Sequence, residues 1–123
     1  MDEVTLQVES NARAPGLSRS RLAAMRSKLE PRFDDVALVV SELVSNSVRH
    51  GSSNGIDVKV TAGDGKIRVE VADDGPGFAA DVSRGDGLGL TIVEKLSERW
   101  GLEESRSKFT VWAELSTAHP GDG

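Results

Sequence analysis

The 123-residue sequence contains no cysteine, and its only histidines are His50 and His119. The absence of cysteine excludes a disulfide framework and metal sites built on thiolates. It also suits a reducing compartment, so we expect a cytoplasmic protein. Two histidines are too few for a multi-histidine metal site.

The sequence also lacks an excess of basic residues and any long hydrophobic run. Its formal net charge is −5, which argues against general nucleic-acid binding because that needs a basic face. No apolar stretch approaches the ~20 residues of a membrane span. The acidic, alternating start MDEVTLQVES is unlike a signal peptide. We expect one domain over residues 1–116, followed by a disordered polar tail over 117–123.

Alternation of apolar and polar residues predicts strands at 4–9, 56–62, 67–71, 101–106 and 109–115. The second and third strands flank Gly63-Asp64-Gly65, which predicts an antiparallel hairpin. One face of these strands is apolar and the other is charged. We therefore expect a sheet that carries helices on one side only.

Helical spacing predicts three helices. In the first, Ser18 or Ser20 is expected as the N-cap after a loop, and a buried stripe of Leu22, Met25 and Leu29 leads to Pro31. The second runs from Phe33 to Gly51, with a core stripe of Phe33, Val36, Val40, Leu43 and Ser47. The third is expected over 91–100.

The first helix carries a basic face, formed by Arg19, Arg21, Arg26 and Lys28. Such a face is either solvated or a contact surface for an acidic partner.

The segment SELVSNSVRHG holds the first candidate chemistry. Glu42 and Asn46 are one helical turn apart and point the same way, and Arg49 and His50 lie close by. A carboxylate can accept a proton from a nucleophile. A neutral amide oxygen can hold a hard cation such as Mg²⁺. An ordinary amphipathic helix with a polar edge explains this segment alone equally well.

Two glycine-rich segments follow the hairpin. Asp73, in the run DDGPGF, ends a strand where glycines let a ligand approach the backbone, which suits a base-binding corner. The run GDGLGL at 85–90 opens a helix, where free N–H groups can cradle phosphate. A tight structural turn also explains the first run, and a glycine-rich pattern like the second is more often just a loop.

The three segments in this order resemble the Bergerat-type ATP-binding fold of the GHKL ATPases and kinases. That group includes gyrase, certain heat-shock chaperones, histidine kinases and mismatch-repair ATPases. The resemblance covers residues 4–115. It implies an α+β two-layer sandwich, with a mostly antiparallel sheet and helices packed on one face, that binds ATP and Mg²⁺.

The resemblance also implies a role for each matching residue. Glu42 corresponds to the residue that orients or deprotonates the nucleophile, Asn46 to the Mg²⁺ ligand, and Asp73 to the acceptor of the adenine amino group. Arg49 and His50 correspond to residues that line the nucleotide. Gly75 and Gly77 shape the adenine corner. The phosphate-binding box and lid correspond to Gly85, Gly87, Leu88, Gly89 and Leu90.

One position departs from the family pattern. A threonine on the last strand commonly supports the adenine-binding aspartate, and Phe109 occupies that place here. Alternation turns the neighbouring Thr110 to the other face. Support for Asp73 is therefore expected from a bulge, another residue or water. The lid over 78–86 is also short, so closure over ATP is expected to need a partner.

From 123 residues we expect neither the helical domain of a histidine kinase nor the further domains of gyrases and chaperones. With SELVSNSVRHG and the ending TVWAEL, it is most similar to the small anti-sigma factor serine/threonine kinases, which are numerous in actinobacteria. The resemblance implies that it sequesters a sigma factor and phosphorylates an anti-anti-sigma (STAS-type) protein.

Two other functions stay open at this point. One is a non-catalytic, ATP-dependent sequestering module, and the other is an orphan histidine-kinase-type catalytic domain. The first strand and the basic first helix are compatible with a homodimer, and Arg21 is a candidate partner contact.

Overall fold

The computed structural model describes residues 2–50, 55–74, 90–105 and 108–117, with the His50 side chain outside this description. Its elements in chain order are β1 (Asp2–Glu9), α1 (Ala14–Leu22), a 3₁₀ turn (Ala23–Met25), α2 (Arg26–Leu29), α3 (Phe33–His50), β2 (Gly55–Gly63), β3 (Lys66–Asp73), α4 (Leu90–Leu96), β4 (Arg99–Ser105) and β5 (Lys108–Ser116). Of the predicted tail, Thr117 is described, and its N–H bonds to the Gly65 carbonyl at 3.0 Å.

The five strands form one antiparallel sheet in the order β1-β2-β3-β5-β4. The predicted hairpin joins β2 to β3, with Gly63 opposite Lys66. Asp64 and Gly65 make the turn, at φ values of 54° and 78°. Two consecutive residues with positive φ match the right-handed twist of the strands, which explains the Asp-Gly pair.

The two faces of the sheet differ as the alternation predicts. Side chains of β2, β3 and β5 that face the helices are buried: Ile56, Val58, Val60, Ile67, Val69, Val71, Val111, Ala113 and Leu115. The opposite face carries a charged network in which Arg68 lies over the Trp112 ring at 4.6 Å and donates to Glu114 at 2.9 Å. The α+β architecture with helices on one face of an antiparallel sheet is confirmed.

Helix α3 is the central helix of the core. Its predicted stripe is buried, and Val39 and Val44 are buried with it. Asp34 and Asp35 lie in its first turn, where carboxylates interact favourably with the positive end of the helix dipole. The stripe packs against the inner face of the sheet, so the opposite edge of the helix is left to carry polar groups.

The first predicted helix differs from the structure in its start and its continuity. Helix α1 begins at Ala14, has Pro15 in its first turn, and has no side-chain cap. Proline suits this position because the first N–H groups of a helix have no partner within the helix. Ser18 is therefore not a cap; it is buried and donates to the Ala14 carbonyl at 2.8 Å. Ser20 lies within α1, so it is not a cap either.

The predicted stripe of Leu22, Met25 and Leu29 is buried, but it spans α1, the 3₁₀ turn and α2. The helical path ends at Leu29, two residues before Pro31, because the residue preceding a proline disfavours helical backbone.

The helix predicted over 91–100 is also shorter than expected. Helix α4 ends at Leu96, and Trp100 lies in β4 opposite Ala113. The Glu98 N–H bonds to the Glu114 carbonyl at 2.7 Å, so pairing with β5 takes up the backbone groups that a longer helix would have used. The strand predicted at 101–106 accordingly begins two residues earlier, and Arg106 lies outside the described residues.

A buried arginine joins three elements. Arg32 is 2 % exposed. Its guanidinium donates to Asp35 Oδ2 at 2.7 Å and to the carbonyls of Leu96 and Ser116 at 2.9 Å each. The start of α3 is thereby attached to the ends of α4 and β5, which positions α4 relative to α3.

Candidate functional site

The candidate site forms where the end of β3 meets the C-terminal half of α3. Asp73 is the last residue of β3 and is 1 % exposed. Ser47 of α3 is fully buried, and its Oγ donates to Asp73 Oδ2 at 2.6 Å. A charge-assisted bond of this kind compensates for burying a carboxylate. The predicted adenine acceptor and the predicted cation helix are therefore in direct contact.

This contact identifies one group that supports Asp73. Phe109 lies opposite Asp73 in the register of β3 and β5, and its side chain has no hydroxyl to offer. Thr110 lies opposite Ala72 instead, on the other face of the sheet. Support by another residue was among the alternatives expected, and Ser47 is such a residue. In the sequence, Ser47 stands out by its place after Asn46 on the buried stripe of the helix. That place predicts packing and does not by itself predict a hydrogen bond to Asp73.

Asn46 is fully buried one turn before the end of α3. Its Oδ1 accepts a 2.7 Å hydrogen bond from Nη2 of Arg49, three residues further along the helix. The Asn46 amide oxygen therefore faces the position of the positively charged Arg49 guanidinium. A neutral, hard oxygen in such a place fits a magnesium ion held by one side chain together with phosphate oxygens.

The described ranges contain no metal site built from protein side chains alone. No group of three or more histidine, aspartate or glutamate side chains there is placed to hold an ion. Asn46, among the described residues, offers an amide oxygen to which a nucleotide would add its phosphates.

Glu42 lies on the same edge of α3, one turn before Asn46, and is half-buried. Leu38, one further turn away, is 41 % exposed. The helix edge therefore runs from a solvent-facing apolar residue, through a carboxylate at the solvent boundary, to a buried amide. A group approaching from solvent can reach the Glu42 carboxylate next to the buried amide.

Several predicted site residues lie outside the described part of the chain: Gly75, Gly77, Gly85, Gly87, Leu88, Gly89 and the side chain of His50. The predicted lid at 78–86 lies outside it as well. Leu90 is described; it is half-buried and begins α4. Among the described site residues, the structure joins Arg49 to Asn46 and joins Asp73 to Ser47, the residue after Asn46. Glu42 lies one turn before Asn46 on α3.

A separate surface pocket of about 570 Å³ lies between β1 and α1. Its lining includes Leu6, Arg13, Leu17 and Arg21, and none of the candidate nucleotide residues. Charge and exposed apolar surface meet here, away from Asp73 and Asn46.

Comparison with known proteins agrees with this geometry. Residues 32–121 match the family described as histidine kinase-, DNA gyrase B-, and HSP90-like ATPases. The chain belongs to this family. The predicted membership is confirmed, and it implies ATP as the ligand.

Among individual relatives, an anti-sigma F factor of Clostridium botulinum is 28 % identical over 129 residues, covering 89 % of this chain and 90 % of that protein. An anti-sigma F factor of Geobacillus thermodenitrificans is also 28 % identical, covering 89 % of this chain and 88 % of that one. The serine-protein kinase RsbW of Listeria monocytogenes is 28 % identical over 120 residues, covering 79 % and 76 %.

Two solved structures share the fold. A Mycobacterium tuberculosis structure containing RsbU and RsbW domains superposes with a TM-score of 0.73 at 22 % identity, covering 94 % of this chain. The chain spans about a third (32 %) of that structure. The Acinetobacter baumannii histidine kinase AdeS gives a TM-score of 0.58 at 15 % identity, covering 97 % of this chain and 70 % of that one.

In the part of the chain that the structure describes, no helix is both long enough and apolar enough to cross a bilayer.

Proposed function

We propose that this protein is an ATP-dependent serine/threonine kinase of the anti-sigma type. It holds a sigma factor inactive and phosphorylates an anti-anti-sigma protein with a STAS-type fold. The observation that carries this proposal is the 2.6 Å bond between Ser47 and Asp73. It joins the strand-end carboxylate to the helix that bears Glu42 and Asn46, so the parts of an ATP site converge. The relatives named anti-sigma F factor and serine-protein kinase support the choice of reaction.

In this proposal each converging residue contacts a different part of the nucleotide. Asp73 accepts a hydrogen bond from the adenine amino group, in the corner shaped by Gly75 and Gly77. Arg49 and His50 line the nucleotide, and the backbone N–H groups of residues 85–90 cradle its phosphates. Asn46 ligates Mg²⁺, which neutralises phosphate charge when it is bound.

Glu42 supplies the general base. Its carboxylate accepts the proton of the substrate hydroxyl as the hydroxyl oxygen bonds to the γ-phosphorus, while the bond from that phosphorus to the β–γ bridging oxygen breaks and ADP leaves. The position at the solvent boundary suits this role, because a serine on another protein has to reach the carboxylate from outside. Exposed Leu38, one turn earlier on α3, offers apolar contact to the segment that carries this serine.

Helix α1 provides the surface for the sigma factor. Arg19 and Arg21 are exposed. Leu17, which lies between the start of α1 and these two arginines, is 49 % exposed. This basic, partly apolar surface contrasts with the net charge of −5 of the chain and fits an acidic partner. Strand β1 ends the sheet beside α1, and its edge is available for a second copy, so we propose a homodimer there.

The test is incubation of the pure protein with Mg-ATP, radiolabelled on the γ-phosphate, and its cognate anti-anti-sigma protein. We expect label on serine or threonine that survives acid, and no transfer by Glu42→Gln, which keeps the shape of the side chain. A protein that binds ATP but transfers nothing would instead be a sequestering module. Acid-labile label on a partner's histidine would indicate a histidine-kinase-type catalytic domain.

A further inference from the structure

Buried Arg32 contacts both α3 and α4, the two helices to which the candidate nucleotide residues are attached. It directly precedes Phe33, the first residue of α3, and its carbonyl accepts a 2.9 Å hydrogen bond from the Val36 N–H. Its Nη2 donates to the carbonyl of Leu96, the last residue of α4, at 2.9 Å. The backbone of Arg32 therefore starts α3, and its guanidinium caps the end of α4.

Two further hydrogen bonds fix the orientation of this guanidinium. Nε donates to Asp35 Oδ2 at 2.7 Å and Nη1 donates to the Ser116 carbonyl at 2.9 Å, so three edges of the planar fork are engaged. The Oγ of Ser97, the residue after Leu96, is shielded from solvent. A hydrogen bond is electrostatically stronger where water is excluded, so the cap on α4 is firm. A cation at the last carbonyls of a helix also interacts favourably with the helix dipole.

Helix α4 transmits this constraint toward its other end. It has seven residues, of which Val93 is the buried one, while Leu90 and Leu96 are partly buried against the core. Leu90 and Leu96 are about 9 Å apart along the axis, at 1.5 Å per residue. A change in the position of Leu96 therefore moves Leu90. Because residues 85–89 directly precede Leu90 in the chain, the position of α4 sets where that run joins the fold.

We propose that Arg32 is a positioning residue for the phosphates of ATP. By holding α4 at a fixed place relative to α3, it sets the distance between the run 85–90 and the amide oxygen of Asn46. The adenine corner does not depend on it, because Asp73 is oriented by Ser47. Loss of Arg32 therefore weakens the hold on the phosphates and leaves the hold on the base. This inference rests on the proposed function, in which residues 85–90 cradle the phosphates.

The experiment compares the affinities of the full chain for Mg-ATP and for adenosine by calorimetric titration, at a temperature where circular dichroism shows each variant folded. We expect Arg32→Met to raise the Kd for Mg-ATP about tenfold or more, since small displacements of a positioned group are costly. The Kd for adenosine should change by less than about twofold.

Asp35→Asn is the matched control. It removes the charge that pairs with Arg32 but leaves the guanidinium its two carbonyl partners, at Leu96 and Ser116. It should lower stability while changing neither Kd by more than about twofold. Arg32→Lys keeps the positive charge and lacks the planar fork, so its loss of Mg-ATP affinity should lie between wild type and Arg32→Met. It also serves if the methionine variant does not fold.

Equal losses of affinity for Mg-ATP and adenosine in Arg32→Met would mean that Arg32 supports the domain as a whole, and would overturn the proposal. An Asp35→Asn variant that loses as much Mg-ATP affinity as Arg32→Met would overturn it too.

The outcomes also separate this proposal from the function on which it rests. If the wild-type protein binds Mg-ATP no more tightly than adenosine, the proposed phosphate contacts fail, and the positioning role fails with them. If wild type prefers Mg-ATP and both Arg32 variants keep that preference in full, the nucleotide site stands and only the positioning role is wrong.

Discussion

Ser47 Oγ donates a 2.6 Å hydrogen bond to Asp73 Oδ2, and both residues are almost completely buried. The bond crosses from α3 to the end of β3, between residues 26 positions apart in sequence. The buried Ser47 hydroxyl thereby orients one oxygen of the Asp73 carboxylate. The orientation of the Asp73 carboxylate is thus set by the same helix that carries Glu42 and Asn46.

Replacing Ser47 with alanine should weaken ATP binding. The substitution removes a hydrogen bond to a buried charged group, and such bonds contribute about 1.5–3 kcal/mol. We expect the Kd for Mg-ATP to rise roughly tenfold or more, measured by isothermal titration calorimetry. Ser41→Ala is the matched control, because Ser41 is a buried serine of α3 whose hydroxyl bonds to the Leu38 carbonyl instead.

The register of β3 and β5 offers a rescue of that variant. Phe109 lies opposite Asp73, so Phe109→Thr places a hydroxyl beside the carboxylate. Adding it to Ser47→Ala should recover part of the lost affinity. If Ser47→Ala binds ATP with normal affinity and the double variant binds it no more tightly, then Ser47 does not support Asp73 for nucleotide binding.

Replacing Arg32 with methionine should destabilise the whole domain. The change removes an ion pair with Asp35 and two hydrogen bonds to the carbonyls of Leu96 and Ser116. We expect a loss of about 2–4 kcal/mol in the free energy of unfolding, measured by urea denaturation. Arg26→Met should cost less than about 1 kcal/mol, because the pair of Arg26 with Glu30 is exposed. Equal losses in the two variants would contradict the assigned role of Arg32.

The outer face of the sheet should make stability depend on pH through Glu114. Hydrogen bonds from Arg99, and from Arg68, hold the pKa of the Glu114 carboxyl below its usual value of 4.5, although burial acts the other way. The folded state therefore favours the charged form. Its contribution is present above the unfolded pKa and is lost as the pH falls through the lowered folded pKa.

The variant Glu114→Gln tests this dependence. Its free energy of unfolding should lie below that of wild type at neutral pH, and the difference should shrink as the pH falls below about 4.5. Urea denaturation at a series of pH values measures the difference. A constant gap across that range would mean that Glu114 contributes by packing rather than by its charge.

The strands and α3 could be predicted from the sequence because their information is local. Alternation around Asp64 and Gly65 predicts the hairpin, and the 3.6-residue spacing of α3 predicts its buried stripe. The errors arose where long-range pairing prevails over local pattern. Trp100 joins β4 because β5 is available as a partner. Helix α1 begins at Ala14, with Pro15 in its first turn, whereas its N-cap was expected at Ser18 or Ser20.

Local spacing also singles out the candidate site residues. Glu42, Asn46 and Asp73 belong to motifs with fixed spacing, and their roles stay predictions. The partners of Arg32 are backbone carbonyls 64 and 84 residues away, which leave no trace in its neighbouring sequence. The bond of Arg49 to Asn46 is local, but the spacing alone did not show that it would occupy the amide oxygen.

The affinity of Asn46→Ala for ATP tests the central claim most directly, because that claim makes α3 the metal-binding wall of an ATP pocket. Calorimetric titration of wild type and variant should be made with ATP in Mg²⁺ and again in EDTA, with circular dichroism confirming the fold. We expect the variant to lose about 100-fold or more in Mg²⁺, the upper range for loss of a metal-site group. In EDTA the ATP affinities of the two proteins should differ little. Equal affinity of the two proteins in Mg²⁺ would contradict the account.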